Sequence, residues 1–481
     1  MKLNELTLTN PYLSLPAECY DRVKPTPLNK PFLIHVNAPL AQELGIDEEE
    51  LHTERFVQFV NGEYHPQGSD TFAMCYAGHQ FGHFVPRLGD GRAINIGTLK
   101  GWHLQIKGAG VTKYSRSGDG RAVLRSSIRE YLMSEAMHHL GIETTRAMAL
   151  IGSEHSVYRQ EWEKGAIVLR LSPSWVRFGT FEYFANKKRF KELKALVAYA
   201  IEESYPHLSD VADEEERYVR FFAEVVERTA KLIAKWQAVG FNHGVMNTDN
   251  MSIHGLTIDY GPYAFLDTYD RQNICNHTDA YGRYSFGNQP AVAEWNLRAL
   301  MAALSPIIPL ARMEEAIAGY GSIYSEHFIV LMRQKLGLEV AEETDSELIK
   351  HLLGTLQSLQ VDYTCFFRTL SRYEGDRTAL LELCLYHTPM HEWLETYDAR
   401  LAKESLSTAE RHKRMLACNP KYVLKNYMLQ EAIDDAVKGE YAKVDALFRI
   451  ACDPYAEHPD YEAWAGETPE EHRNTKLSCS S

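Results

Sequence analysis

The sequence predicts an α+β fold, in which a small sheet with one helix precedes a large helical body. Short alternating apolar runs separated by glycine turns indicate strands between residues 84 and 107. Apolar residues at helical spacing recur in most of the chain after residue 188. The composition, 45% hydrophobic and 24% charged, is ordinary for a globular protein and argues against disorder.

Charge and composition exclude several classes of protein. The 481 residues carry 51 Lys+Arg against 65 Asp+Glu, a formal net charge of −14, which argues against a broad nucleic-acid-binding surface. A locally basic cleft for a small polyanion remains compatible with this balance. The start of the chain shows neither a secretory signal nor a transit peptide, and the apolar window Leu297–Met313 is interrupted by Arg298 and Pro306. Eight cysteines without a Cys-x-x-Cys pair fit a reducing compartment, so we expect a cytoplasmic protein without a membrane or nucleic-acid partner.

The first elements of the chain read as an arm followed by strands. Prolines are frequent in residues 1–60, which predicts an extended arm and short helical turns. Residues 84–88 and 93–96 flank Gly89-Asp90-Gly91 and predict a hairpin, and a turn at 98–101 leads into a strand over 102–107. In that last strand Leu104 and Ile106 share one face, so Lys107 lies on the other.

Helices dominate the rest of the chain. A helix is predicted to open near Asp119 and close at Gly141, with Glu130 beside its apolar stripe. One further strand is predicted over 166–171, and the stretch 243–267 reads as a loop and hairpin. The remaining predicted helices cover 188–205, 214–239, 291–303, 312–320, 345–360, 377–386, 424–437 and 440–452.

The string Gly-Asp-Gly-Arg-Ala occurs twice, at 89–93 and at 118–122. Glycines let a backbone approach a phosphate closely, and an arginine fork matches phosphate oxygens. Alternatively, the repeated sequence forms two ordinary Asp-Gly turns without a ligand. Neither copy completes a G-x-G-x-x-G string, since Ile94 and Val123 stand at the sixth position, and there is no Walker A string.

A stronger signal is the order of five parts along the chain. A glycine turn is followed by the strand residue Lys107 and the helix residue Glu130, and much later by His243–Asn250 and Asp259-Tyr-Gly261. This is the order of parts in a protein kinase, so we expect a protein-kinase-like, two-lobed fold with large helical extensions. In such a site the lysine neutralises phosphate charge, the glutamate holds the lysine, and Asn and Asp oxygens bind Mg²⁺. Taken singly, each part has an ordinary explanation: the lysine as a solvated side chain, the glutamate as a surface residue, and Asp-Tyr-Gly as a turn.

One kinase part is absent. The aspartate of an H-R-D motif stands five residues before the asparagine, and that position is Val245 here. The nearest carboxylate is Asp249, adjacent to Asn250. The expected division of the chain is an N-terminal extension (1–83), a kinase-like N-lobe (84–180), a C-lobe with the metal and catalytic loop (181–340) and a helical C-terminal region (341–481).

Nearly the whole chain, from about residue 10 onward, resembles the selenoprotein O family, also called YdiU. The resemblance rests on five strings, of which the first and fourth are highly specific. They are Tyr76–Gly82 (YAGHQFG), Pro86–Arg92 (PRLGDGR), Lys107–Gly110 (KGAG), His243–Asn250 (HGVMNTDN) and Asn276–Arg283 (NHTDAYGR).

The resemblance implies a fold, an activity and a set of site residues. Members have a kinase-like fold, bind ATP flipped relative to kinases and transfer AMP to protein Ser, Thr or Tyr hydroxyls; bacterial members are also described as using UTP. By this resemblance Asp249 is the proton acceptor, Glu130 is the partner of the lysine, and Asn250 and Asp259 are ligands of Mg²⁺ or Mn²⁺. The implied nucleotide contacts are Gly89, Gly91, Arg92, Lys107, Asp119, Gly120, Arg170, Arg177 and Asp259. Without the resemblance, the two arginines at 170 and 177 would be expected at the surface.

The C-terminal tail departs from the family pattern. Members often end in Cys-x-x-Sec or Cys-x-x-Cys, and this chain keeps Cys479 but has Lys476 in place of the upstream partner. A disulfide partner for Cys479 would then come from the body of the protein, and Cys275 is the candidate. A redox switch through these two thiols is an expectation, set against an incidental cysteine in the tail.

The sequence therefore predicts a metal-dependent protein nucleotidyltransferase that uses ATP, with protein hydroxyls as acceptors. Two alternatives remain open at this stage: a kinase-like phosphotransferase and a non-catalytic, redox-responsive scaffold that binds nucleotide. The choice between ATP and UTP, the identity of the metal and the oligomeric state are not determined by the sequence.

Overall fold

The structure is a computed structural model, and it describes residues 1–473 of the chain. It combines an antiparallel sheet with a body that is mainly helical. The strands are β1 (Tyr20–Arg22), β2 (Phe32–Val36), β3 (Phe72–Met74), β4 (Gly78–Gln80), β5 (His83–Val85), β6 (Ala93–Leu99), β7 (Trp102–Lys107), β8 (Ala122–Val123), β9 (Arg146–Tyr158), β10 (Trp162–Ser172), β11 (Phe241–Asn242) and β12 (Ala264–Phe265). The helices are α1 (Ala38–Glu43), α2 (Glu54–Val60), α3 (Leu124–His139), α4 (Phe178–Asn186), α5 (Phe190–Ser204), α6 (Glu214–Val239), α7 (Gln289–Leu304), α8 (Leu310–Ala318), α9 (Tyr320–Lys335), α10 (Asp345–Leu359), α11 (Tyr363–Leu370), α12 (Thr378–Leu381), α13 (Thr388–Leu401), α14 (Thr408–Cys418), α15 (Asn426–Lys438) and α16 (Ala442–Cys452).

The main sheet has the strand order β1-β3-β6-β7-β10-β9-β2, with β8 paired to β10. The predicted turn between β6 and β7 is confirmed: Lys100 and Gly101 both have positive φ, as a tight two-residue hairpin turn requires. The predicted hairpin of 84–88 with 93–96 is wrong, because β5 pairs with β4 instead. The backbone amides of Leu88 and Asp90 bond to the carbonyls of Tyr76 and Met74, which directs the chain away before β6 begins.

The register of the central strands places the charged side chains of the site together. Gln105 lies opposite Arg170 and Lys107 lies opposite Val168, so all four side chains project from one face of the sheet. The predicted strand over 166–171 is confirmed within β10. Its partner β9 was not predicted from the sequence.

The opposite face of the sheet is covered by the N-terminal segment. Leu104 and Ile106 are fully buried in a cluster with Leu40, Phe56 and Phe59 of the segment before β3. The arm predicted for residues 1–60 also contains β1 and β2, which form the two edges of the sheet. The sheet therefore includes strands on both sides of residue 83, and the predicted division into domains remains a prediction.

Helix α3 packs against β9 and β10 and carries Glu130 towards Lys107. It begins at Leu124 rather than near Asp119, because Ala122–Val123 pair with β10 as β8. Its end, with Gly141 in the left-handed region just beyond, agrees with the prediction.

Most predicted helices of the body are present, with both ends within two residues of the predicted bounds, namely α5, α6, α7, α8, α10, α15 and α16. Helix α6 shows why: the side chain of Asp213 caps its first turn, and Gly240 ends it with a φ of +77°. The helix predicted over 377–386 is wrong beyond Thr378–Leu381. Within residues 1–473, no helix is both long and apolar enough to cross a membrane.

Candidate active site

A cavity of about 580 Å³ lies between the sheet and the loop 243–262. It brings together nearly all of the site residues predicted from the sequence. Those that line it are Gly89, Gly91, Arg92, Lys107, Asp119, Gly120, Arg170, Arg177, Asp249, Asn250 and Asp259. Glu130 lies directly behind this lining and contacts two of its cations.

The floor of the cavity is a cluster of five charged side chains, of which Glu130, Arg170 and Arg177 are buried and Lys107 and Asp259 are partly buried. Glu130 accepts a hydrogen bond from Lys107 Nζ at 2.5 Å and another from Arg170 Nη1 at 2.6 Å. Arg170 Nη1 also donates to Asp259 Oδ1 at 2.7 Å, and Arg177 donates to the other oxygen of Asp259. Three cations thus share two carboxylates, which leaves the cluster with an excess of one positive charge.

Burial and mutual attraction set the ionisation of this cluster. Burial lowers the pKa of Lys107 to about 8, although the Glu130 carboxylate opposes that change. Burial alone would raise the pKa of Glu130, but Lys107 and Arg170 outweigh it and the pKa falls. The pKa of Asp259 falls well below its usual value for the same reason, with Arg177 as the largest opposing charge. Both carboxylates are therefore ionised at neutral pH.

Arg170 and Arg177 are each 2% exposed, so the expectation that they lie at the surface is wrong. Arg170 faces inward from β10, where its Nε donates to Gln105 Oε1 at 2.9 Å and its guanidinium packs 4.5 Å from the Trp175 ring. Arg177 immediately precedes α4 and packs 4.6 Å from the Tyr76 ring. Buried arginines of this kind require carboxylate partners, and Asp259 is the partner of both.

The loop between β11 and β12 carries Asp249 and Asn250. The Asp249 carboxylate is buried, which raises its pKa to about 7, while a hydrogen bond from Gln80 Nε2 to Oδ2 at 3.2 Å favours the charged form. Its backbone carbonyl accepts from Arg177 Nη1 at 2.8 Å. Asn250 Nδ2 donates to the Val245 carbonyl at 3.0 Å, which fixes the amide beside Asp249.

Two oxygen-bearing side chains of the lining, Asn250 and Asp259, fit a divalent metal ion, since Mg²⁺ and Mn²⁺ prefer oxygen donors. No group of three His, Cys, Asp or Glu side chains suited to a metal occurs within residues 1–473, so this set depends on the Asn250 amide.

The two Gly-Asp-Gly-Arg-Ala strings face the same cavity from two loops. At Gly120, with a φ of +68°, an added Cβ would lie 2.1 Å from the Gly110 carbonyl carbon, so no other residue fits. Asp119 accepts from Arg159 Nη1 at 2.8 Å, and Arg159 also lines the cavity. Seven positively charged side chains and four aspartates line the cavity in total, a balance that favours a polyanion.

The lining residues that were not predicted as site residues include the polar side chains of Gln80, Asp90 and Arg159. Gln80 belongs to the YAGHQFG string and Asp90 to the first glycine string, so both residues could have been predicted as site residues from those strings. Arg159 lies in the turn between β9 and β10 and has no such signal. Of the two predicted redox residues, Cys479 lies outside the described residues, and Cys275 is half-buried with its thiol 3.6 Å from the Asn242 carbonyl.

Comparison with known proteins decides the family. The family model described as protein adenylyltransferase SelO matches residues 2–451 of the chain. The chain belongs to the SelO family. A SelO relative from Myxococcus xanthus, described as protein nucleotidyltransferase YdiU, is 46% identical over 100% of this chain and 99% of its own length. A second of the same description, from Thiobacillus denitrificans, is 44% identical with the same coverage. Membership confirms the predicted family and the predicted enzyme class, a protein nucleotidyltransferase.

Proposed function

We propose that this SelO-family enzyme transfers AMP from ATP to hydroxyl groups of protein Ser, Thr or Tyr residues. The observation that carries the proposal is the convergence of Lys107, Arg170 and Arg177 on two carboxylates beside Asp249, inside one cavity. This arrangement supplies positive charge for a triphosphate and, within the same cavity, a carboxylate for the acceptor hydroxyl.

Binding of the nucleotide would use the cations and the glycine loops. The glycines of both loops allow the backbone to approach phosphate oxygens, and Arg92, exposed at the lining, adds a further charge. Asp259 holds Arg170 and Arg177, so both guanidinium groups are already desolvated and oriented. In the proposed flipped orientation, the α-phosphoryl group faces Asp249 and the acceptor.

The chemical step is an in-line displacement at the α-phosphorus. Asp249 takes the proton of the acceptor hydroxyl, whose oxygen forms the new bond to the α-phosphorus as the bond to the bridging oxygen of pyrophosphate breaks. The negative charge that develops on pyrophosphate is stabilised by Lys107 and the two arginines. Asn250 and Asp259 would hold Mg²⁺ or Mn²⁺, which neutralises phosphate charge when bound.

We further propose that the fold corresponds to that of a protein kinase. Strands β6, β7, β9 and β10 with α3 take the place of the N-lobe (84–180), and the helices around the loop 243–262 take that of the C-lobe (181–340). Residues 1–83, which add β1, β2 and β3 to the same sheet, and residues 341–481 are the extensions. The Lys107–Glu130 ion pair between a strand and a helix supports this correspondence. UTP as an alternative donor would require the same phosphate contacts.

The two alternative functions are separated by the products. Purified protein would be incubated with ATP, a divalent metal and an acceptor protein, and the small-molecule product identified by chromatography. We expect pyrophosphate, together with the mass of an adenylyl group on a hydroxyl side chain. Release of ADP would indicate a phosphotransferase, and binding of ATP without any product would indicate a scaffold. Asp249→Asn provides the matched control, since it keeps the size of the side chain and removes the proton acceptor.

A further inference from the structure

The hairpin of β4 and β5 projects directly onto the loop that carries Asp249. Gln80 pairs with His83 at its end, and Phe81 and Gly82 form the turn with φ values of +49° and +84°. Two positive φ values in a two-residue turn give a tight, twisted hairpin. The hairpin therefore presents Gln80 at a defined position on the cavity wall.

Several hydrogen bonds fix the hairpin to the loop. The amide of Phe81 donates to Asn247 Oδ1 at 3.2 Å and to the Tyr284 hydroxyl at 2.9 Å. The amide of His79 donates to Thr248 Oγ1 at 2.7 Å. These bonds reach the two residues immediately before Asp249, so the hairpin and the loop form one unit.

A second set of contacts lies beneath this unit. Glu182 of α4 is 4% exposed, accepts a hydrogen bond from Thr248 Oγ1 and contacts His79 Nδ1 at 2.5 Å. The Glu182 carboxylate thus joins the hairpin and the loop from below. It keeps the backbone positions of His79 and Thr248 fixed relative to each other.

The backbone of the hairpin also approaches the Asp249 side chain itself. A Cβ added at Gly78 would lie 2.7 Å from Asp249 Oδ1 and 3.0 Å from Asp249 Cβ, so only glycine leaves room for the carboxylate. Oδ1 is consequently buried, and within residues 1–473 it has no hydrogen-bond partner. Gln80 and Asp249 both line the cavity, and Gln80 Nε2 donates to the other carboxylate oxygen, Oδ2. With Oδ1 packed against Gly78, Oδ2 is the oxygen left for the cavity.

We propose that Gln80 is a positioning residue for the transfer reaction: its side-chain amide holds the Asp249 carboxylate so that Oδ2 faces the acceptor hydroxyl. Gln80 itself exchanges no proton with the substrate. The inference rests on the proposed role of Asp249 and deepens it, since it names the group that orients the proton acceptor. Displacement of a reacting group by about 1 Å can cost on the order of 10²-fold in rate.

The experiment is a double-mutant cycle between Gln80→Leu and Asp249→Asn. The full-length enzyme is assayed for AMP transfer, and the Kd for ATP is measured separately. We expect Gln80→Leu to lower kcat by about 10- to 10²-fold while changing the ATP Kd by less than about twofold. In the Asp249→Asn background the same substitution should lower kcat by less than about twofold, because the carboxylate that it orients is already absent.

Controls separate positioning from folding. His83→Ala, at an exposed position of the same hairpin, should leave kcat unchanged. Gln80→Glu keeps the size of the side chain but removes the hydrogen-bond donor, so it should lower kcat by as much as Gln80→Leu does. It replaces the leucine variant in the experiment if that variant fails to fold. Equal losses in both backgrounds, a parallel loss of ATP affinity, or a fully active Gln80→Glu would overturn the proposal. Wild-type turnover in Asp249→Asn alone would instead refute the proposed role of Asp249.

Discussion

Glu130→Gln tests whether the buried charges of the site act as one cluster. The substitution keeps the shape of the side chain and removes the charge that Lys107 and Arg170 share. Glu130 accepts hydrogen bonds at 2.5 and 2.6 Å from these two cations, and its side chain is 4% exposed. After the change, three cations would face the single carboxylate of Asp259.

The magnitude follows from the burial. Removing one member of a buried, hydrogen-bonded ion pair costs about 3–5 kcal/mol, because the remaining charge stays in a poorly solvated position. Glu294→Gln is the matched control: Glu294 pairs with Arg298 on the surface of α7, where the two side chains are 38% and 51% exposed. An exposed pair of this spacing is worth about 0.3–0.5 kcal/mol.

The assay is equilibrium urea unfolding of the nucleotide-free proteins, followed by tryptophan fluorescence. We expect Glu130→Gln to lower the free energy of unfolding by about 3–5 kcal/mol and Glu294→Gln to leave it nearly unchanged. If both variants lost less than about 1 kcal/mol, the charges at the cavity floor would not be coupled as described.

Three further predictions concern turnover, metal and pH. Asp249→Asn should lower kcat by about 10²–10⁴-fold with little change in the ATP Kd, measured by calorimetry; a parallel loss of ATP affinity would contradict its role as proton acceptor. Asn250→Ala, or chelation of divalent metal in the wild type, should abolish transfer without lowering the melting temperature; an active, metal-free enzyme would remove this residue from the site. Lys335 is buried against the Phe367 ring at 4.2 Å, and burial lowers its pKa from 10.5 to about 8. Below pH 8 the folded protein therefore carries the full cost of charging Lys335, roughly 3 kcal/mol, and this cost disappears as the pH rises through 8 towards 10.5. Lys335→Met should stabilise the protein by about 2–3 kcal/mol at pH 7 in urea unfolding, with a smaller gain at pH 10; an equal gain at both pH values would show that the lysine charge is not the cause.

The parts of the fold that could be predicted from the sequence are those with local signals. Helix α6 has a capping aspartate, a regular apolar stripe and a terminal glycine, and its predicted bounds match the structure. The turn at Lys100-Gly101 was also predicted from a local signal, a glycine between two short strand-like runs. The hairpin predicted for 84–88 with 93–96 failed because β5 pairs with β4 across the turn Phe81-Gly82. The hydrogen bonds from Leu88 and Asp90 to the Tyr76 and Met74 carbonyls, which direct the chain after β5, have no local pattern that encodes them.

The same distinction applies to the site. Lys107, Glu130 and Asp259 were predicted because their order along the chain matches a known arrangement. Arg170 and Arg177 have no such signal in their own neighbourhood, since their burial depends on Asp259, which lies more than 80 residues further along the chain. A long-range ion pair becomes visible only when the sheet and the loop are brought together.

The measurement that tests the central claim most directly is transfer from ATP labelled separately at the α- and γ-phosphorus. Each labelled ATP would be incubated with the enzyme, a divalent metal and acceptor protein, and the label retained on protein would be counted. We predict that the α-label is retained and the γ-label is released as pyrophosphate, with both signals absent in Asp259→Ala. Retention of the γ-label on protein, with the α-label left in ADP, would contradict nucleotidyl transfer and establish a phosphotransferase.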